Sequence, residues 1–276
     1  MTPFDRRDLL RLAAVGAAGP LTAACSDRTG ATARATTAAA TPSSATPSSA
    51  TPSSARTAAT APAPVGSSSA VPGLPAGLPF EIRTGPRDRN AVALTFHGQG
   101  DPAIARALLA EAARADARIT VMAVGSWLDQ QPAMARLVLD GGHELGNHTE
   151  HHLAISGLGA DRAYAEIAGC AARLKQLTGS IGRWFRPSQT QDCTATVAAQ
   201  ARRAGYAHCL SYDLDSLDYT DPGPTAVTRT VLDAVRPGSV VSLHFGHSGT
   251  VAALPAILDG LHRRGLRAVT TSELLS

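Results

Sequence analysis

Five apolar segments of this chain each run directly into ionisable side chains, and that repeat constrains the fold more than any other feature. Val92-Ala93-Leu94-Thr95-Phe96 ends in His97, and Gly146-Asn147 leads to His148-Thr149-Glu150-His151-His152. Trp184-Phe185 ends in Arg186-Pro187, Leu210-Ser211-Tyr212 in Asp213, Asp215 and Asp218, and Val240-Val241-Ser242-Leu243 in His244. Short uninterrupted apolar runs read as strands buried on both faces. When such strands are parallel, groups at their C-terminal ends converge in space.

Amphipathic helical patterns separate the runs. A strand at 91–96 precedes a helix near 102–116, and a strand at 119–124 precedes a helix that starts at Pro132 and stops at Gly141-Gly142. A short strand at 144–147, a helix near 160–178, a strand at 183–186 and a helix near 194–204 follow, then a strand at 207–212. A helix from Thr225 to Val235, a strand at 239–245, a helix near 250–264 and a last strand at 268–270 complete the series. Repeated strand–helix units with right-handed crossovers predict an α/β fold with a parallel sheet, and about seven units suit a barrel better than an open sheet. Gly98-Gln99-Gly100 lacks the continuation of a dinucleotide fingerprint, so no nucleotide partner is expected.

The N-terminal third has a different character. Residues 1–25 read as an export signal: Arg6-Arg7 before Leu9-Leu10 resembles a twin-arginine signal, and Leu21-Thr22-Ala23-Ala24-Cys25 resembles a lipobox whose cysteine is lipidated. The apolar run is short and broken by Gly19-Pro20, too short for a permanent membrane span. Residues 26–72 are rich in Ala, Thr, Ser and Pro, with Ala-Thr-Pro-Ser-Ser three times in succession over 40–54, and no apolar period. Such a segment buries too little to offset the entropy of ordering and reads as a disordered tether. Residues 73–276 have the size of one α/β domain. The expected location is the outer face of the cytoplasmic membrane, with the membrane as partner through Cys25.

The formal charge of the whole chain is +3, and no basic stripe interleaved with aromatics is present, which argues against a nucleic-acid partner. Besides Cys25 there are Cys170, Cys193 and Cys209. Two readings stay open: one disulfide, with Cys193–Cys209 as its pairing, or buried free thiols. No Cys-x-x-Cys occurs, so a thiolate metal site is not expected.

His148 and His152 are four apart, a spacing from which two imidazoles on one helical turn can reach a single ion. His151 is expected to turn away and Glu150 to be solvated. His244, at the end of an apolar strand, is placed to deliver a proton, with Asp215 or Asp218 to orient it. Arg186 before Pro187 has a restricted, extended backbone; its guanidinium is expected to hold a carboxylate or the substrate, or to pair with Asp213, Asp215 or Asp218.

In order and spacing these segments resemble the NodB-homology polysaccharide deacetylases, carbohydrate esterase family 4. Thr95-Phe96 matches the start of a Thr-Phe-Asp-Asp-Gly motif, and His148-Thr149-Glu150-His151-His152 matches His-Ser/Thr-x-x-His within similar flanks, His143-Glu144-Leu145-Gly146-Asn147. Arg186-Pro187 is followed by Ser188 where an aromatic or Pro often sits; Asp213 to Tyr219 resembles an Asp-rich motif with Tyr219 in place of Trp; Leu243-His244 matches the last motif. The resemblance covers about residues 90–275. It implies a distorted (β/α)7–8 barrel and a metal-dependent hydrolase that removes N- or O-acetyl groups from a glycan of the cell envelope. It also implies a divalent metal, often zinc in this family, on His148 and His152, with His244 as general acid, Asp215 or Asp218 tuning it, and Arg186 bracing the base.

The departure lies in the first motif. His97 stands where the family has its base Asp and Gly98 where it has its metal Asp. Zinc sites use at least three protein ligands, so three readings remain. His97 completes a three-histidine site; or His97 is the base and Asp101 or His247 supplies the third ligand; or the fold is a catalytically inactive glycan-binding lipoprotein.

Overall fold

The computed structural model describes residues 73–276; the export signal, Cys25 and the tether over 26–72 lie outside the described residues. Among the described residues nine strands form one parallel sheet: β1 Glu81–Ile82, β2 Ala91–Gly98, β3 Thr120–Ala123, β4 Glu144–Asn147, β5 Trp184–Phe185, β6 His208–Leu210, β7 Leu214–Asp215, β8 Val240–His244 and β9 Arg267–Val269. Their order is β1-β6-β5-β4-β3-β2-β8-β7, with β9 beside β2. The sheet curls into a distorted barrel. Ala91–Ala93 of β2 pairs with β9 and Thr95–Gly98 with β3, so β9 fills the lower half of that edge. The segment after β1 closes the base, where Thr84 bridges Ser239 and the Gly85 N–H donates to the Gly238 carbonyl at 2.7 Å.

The helices are α1 Pro102–Arg114, α2 Gly125–Gln130, α3 Ala133–Asp140, α4 Ala160–Thr178, α5 Ala195–Arg203, α6 Pro224–Ala234, α7 Ser248–Arg263 and α8 Thr271–Leu275. Local chemistry explains their ends. Asp101 caps α1 by accepting from the Ala103 N–H at 2.8 Å, and Pro102 occupies a position whose N–H has no intrahelical partner. Gly179 ends α4 in the left-handed conformation, φ 83°. α8 opens with a reciprocal box between Thr270 and Glu273, and its Leu274 and Leu275 plug the base of the barrel.

Strand alternation separates two apolar layers. Val92, Leu94 and Phe96 of β2, Val121 and Ala123 of β3, and Val241 and Leu243 of β8 face the helices. Ala91, Ala93, Met122, Trp184 and Val240 fill the lower lumen. Continuing the inward series upward gives Thr95 and His97 on β2, and Ser242 and His244 on β8, so the lumen turns polar at the C-terminal ends of the strands. Burying some fifty apolar side chains in two layers makes the mouth a rigid frame.

The expected strand–helix series is present. Strands β1 and β7 and helices α2 and α8 were not expected: each spans only two to six residues, and their pairing or docking depends on distant segments.

Candidate metal centre

His97 ends β2 with its ring in the polar lumen and is 8% exposed. Its Nδ1 lies 2.8 Å from His148 Nε2, and His152 Nε2 lies 3.1 Å from that same atom. The three nitrogens fall within 4.8 Å of one another. Four-coordinate zinc holds nitrogens at about 2.0–2.1 Å, hence about 3.3 Å apart, so a small opening of this cluster admits an ion. His148 Nδ1 lies 3.0 Å from the Arg186 carbonyl, which accepts only from an N–H; that fixes the tautomer and leaves the Nε2 lone pair facing the cluster. Ser242 Oγ, 3.0 Å from His97 Nε2, can do the same for His97. The residues present fit a divalent cation bound through nitrogen. Burial lowers the pKa of His97 and His148 well below the ordinary imidazole value, with the neighbouring histidines adding to it; burial also lowers His152, so all three favour the neutral, ligating form.

The backbone here is not the helical turn that the four-residue spacing suggested. Thr149 and His152 adopt left-handed conformations, φ 70° and 55°, in a loop after β4. Asn147 holds that loop by accepting from the Thr149 N–H at 2.8 Å while its amide donates to the Ile167 carbonyl and to Tyr206 Oη. Strained backbone held by buried partners is a feature of functional sites. His151 does turn away, its ring N at 2.8 Å from Glu166. Glu150 is only partly solvated: the residue is half-buried, its Oε2 is buried without a hydrogen-bond partner, and burial raises its pKa.

Gly98 cannot stand in for a metal carboxylate. A Cβ there would sit 2.7 Å from Val121 Cγ1 and 3.1 Å from the Ala123 Cα, inside the outer apolar layer. Nor do the alternative third ligands reach the cluster. Asp101 is exposed and caps α1, and His247 pairs with Asp221 at 2.8 Å. His97 is the third nitrogen.

His244 stacks on His97 with centroids 4.2 Å apart. Asp218 orients it: Oδ1 takes the His244 Nδ1–H at 2.7 Å and Oδ2 its backbone N–H at 2.8 Å, with Thr250 Oγ1 also donating to Oδ2 at 2.7 Å. Burial works against the Asp218 carboxylate, yet these bonds hold its pKa below the usual value. Of the two expected candidates, Asp215 does not touch His244; it accepts from the Leu217 N–H at 3.0 Å and lines the cleft. Asp213 belongs to the frame, bonded to Arg87, Ser239 and the Val240 N–H.

Arg186 departs from expectation. It is fully buried and pairs with none of Asp213, Asp215 or Asp218, and its guanidinium does not line the cleft. Instead it donates to the Leu210 carbonyl at 2.8 Å, the Ser211 carbonyl at 3.1 Å and Thr95 Oγ1 at 2.9 Å, tying β5 to β6 and β2 across the lumen. Burial lowers its pKa to about 10.

Above the histidines lies a cleft of about 360 Å³ lined by Gln189, Thr190, Gln191, Tyr212, Asp215 and Tyr219. Ser242, Thr250 and the Gln189–Gln191 wall were not singled out from sequence. Ser242 could have been found from strand alternation, two residues before His244; the others carry no local signal.

A parallel barrel with a histidine cluster and an Asp-held histidine at its mouth defines a class of barrel hydrolase sites. The polysaccharide deacetylase family model matches residues 84–209. A peptidoglycan-N-acetylglucosamine deacetylase of Bacillus cereus is 32% identical over 202 residues, covering 69% of this chain and 90% of that protein. A chitooligosaccharide deacetylase of Sinorhizobium fredii is 28% identical, covering 67% and 93%. Among solved structures, a CE4 family pseudoenzyme from Bacillus anthracis superposes with a TM-score of 0.68 at 23% identity over 72% of this chain and 70% of that one. The chain belongs to the polysaccharide deacetylase family, carbohydrate esterase family 4.

Proposed function

We propose that this protein is a metal-dependent hydrolase that removes N- or O-acetyl groups from a cell-envelope polysaccharide, using His97, His148 and His152 to hold a divalent ion such as zinc. The observation that carries this reading is the convergence of three ring nitrogens within 4.8 Å beside His244, with His97, His152 and His244 lining one cleft and His148 buried behind them. An ion bound there would polarise the acetyl carbonyl and make water a better nucleophile. His244, its Nδ1 engaged by Asp218, keeps Nε2 for proton delivery to the sugar nitrogen or oxygen as the acyl bond breaks. Arg186 and Ser242 keep His148 and His97 in place. The relatives named for deacetylation of peptidoglycan and chitooligosaccharides support an acetylated glycan as substrate. The lipobox-like segment ending at Cys25 and the tether over 26–72 support an exported lipoprotein held at the outer face of the cytoplasmic membrane; Cys25→Ser should then move the protein to the soluble fraction.

The test is acetate release by zinc- or cobalt-loaded full-length protein from peptidoglycan fragments, chitooligosaccharides and acetylated xylan. Release that is lost in His148→Ala supports the proposal; no release from any of them overturns it. A second reading, an inactive glycan-binding lipoprotein, is favoured by one observation: neither position of the first motif provides a carboxylate, and Arg186 is left without an acidic partner. Glycan binding without metal uptake or acetate release would decide for it.

A further inference from the structure

Two thiols outside the histidine centre lie in contact. Cys193 Sγ and Cys209 Sγ are 2.7 Å apart. Cys209 is fully buried within β6, whereas Cys193 is partly exposed, just ahead of α5. The segment 187–193 runs from the buried Arg186 to Cys193, and its Gln189, Thr190 and Gln191 form one wall of the cleft. The wall itself is held by Gln189 donating to the His152 carbonyl and Gln191 to the Tyr212 carbonyl, with Gln189 in the left-handed region, φ 56°; beyond it Asp192 pairs with Arg83 at 2.7 Å and the Cys193 N–H donates to Glu81 at 3.0 Å. The other thiol sits directly before the Leu210 and Ser211 carbonyls that receive Arg186. A bond between the sulfurs would therefore add a covalent tie between the Cys193 end of the cleft wall, otherwise held by polar contacts with Arg83 and Glu81, and the strand whose end receives Arg186.

We infer that Cys193 and Cys209 are a redox-modified pair whose oxidation by a disulfide-bearing oxidant orders the cleft wall over 187–193. The more accessible Cys193 thiolate attacks a sulfur of the oxidant, forming a mixed disulfide and releasing one thiol. The Cys209 thiolate then attacks Cys193 Sγ and releases the second thiol. Two protein thiols lose two electrons and two protons to the oxidant, which leaves as two thiols. Cys170 lies elsewhere, its Sγ at 3.3 Å from the Ala123 carbonyl, and takes no part.

Full-length protein is compared after oxidised glutathione and after dithiothreitol. Expected are a mass about 2 Da lower after oxidation, a Cys193–Cys209 peptide in non-reducing maps, and melting about 5–10 °C higher. Amide exchange at 188–193 should slow at least tenfold on oxidation, and Cys193→Ser should exchange like the reduced protein under both conditions. A bond at any other cysteine pair, or a Cys193–Cys209 bond that leaves exchange at 188–193 unchanged, overturns the inference. Chitotetraose should bind several-fold more tightly to the oxidised form. That last arm rests on the proposed function, so exchange is measured without glycan and decides the inference by itself.

Discussion

Arg186 Nη1 lies 3.5 Å from His97 Nε2, and no carboxylate among the described residues pairs with this fully buried guanidinium. A buried cation without an anion is costly, and only backbone carbonyls and Thr95 offset that cost here. Beside this arginine the end of β2 places an imidazole that burial keeps neutral, His97, and a glycine, Gly98, and neither supplies an anion.

Replacing His97 with Asp should return an anion to Arg186. We expect His97→Asp to stabilise the metal-free protein by on the order of 1–3 kcal/mol. Urea midpoints of the two proteins, measured with a chelator present, check this. An unchanged or lower midpoint would show that the arginine is already satisfied by its carbonyls.

Position 98 should not accept a side chain. Gly98→Ala places a Cβ 2.7 Å from Val121 Cγ1 and should cost about 1–3 kcal/mol through overpacking. Val121→Ala in the same chain should recover part of that loss, so a double-mutant cycle should give a favourable coupling of at least 0.5 kcal/mol. Additive losses would place the strain elsewhere.

Zinc or cobalt should bind at one ion per chain. His148→Ala should abolish binding and His97→Ala weaken it at least 100-fold, whereas Ser242→Ala, which frees the His97 ring, should weaken it about tenfold. At a metal concentration 100 times Kd, stability should rise by about 2.7 kcal/mol. Isothermal titration and the visible spectrum of the cobalt form measure both. Wild-type affinity in His97→Ala would remove His97 from the ligand set.

The two acidic candidates should separate in kinetics. Asp218→Asn weakens the acceptor that orients the His244 ring and should lower kcat about 100-fold. Asp215, which lines the cleft without touching His244, should affect KM more than kcat when changed to Asn. Circular dichroism should confirm that both variants are folded.

Acid should destabilise the metal-free protein through its buried histidines. The folded-state pKa values of His97, His148 and His152 lie below the ordinary 6.5. The unfolded chain therefore binds more protons below that pH, so their full contribution is present above about pH 6.5 and is lost as the pH falls. Each adds at most about 1.4 kcal/mol of loss per pH unit, and buried His143 acts in the same direction. Urea midpoints at pH 7.5 and 5.5 should differ accordingly, and the difference should shrink in His148→Gln.

The barrel, and the end of it that carries chemistry, are legible in the chain alone, because strand burial and the placement of reactive groups at strand ends are both local patterns. The same patterns mark His97, His148, His152, Arg186 and His244. Their relations follow from the folded arrangement. The choice of Asp218 over Asp215 depends on which carboxylate the turn after β7 presents to His244. The exclusion of Gly98, Asp101 and His247 from the cluster depends on strand alternation against β3 and on helix caps. That Arg186 spans the lumen rather than reaching the cleft depends on where β6 leaves its carbonyls unpaired. Apart from the local Asp101 cap, these are contacts between residues 24 to 91 apart, and their energies reside in packing and register, which no local stretch of sequence encodes.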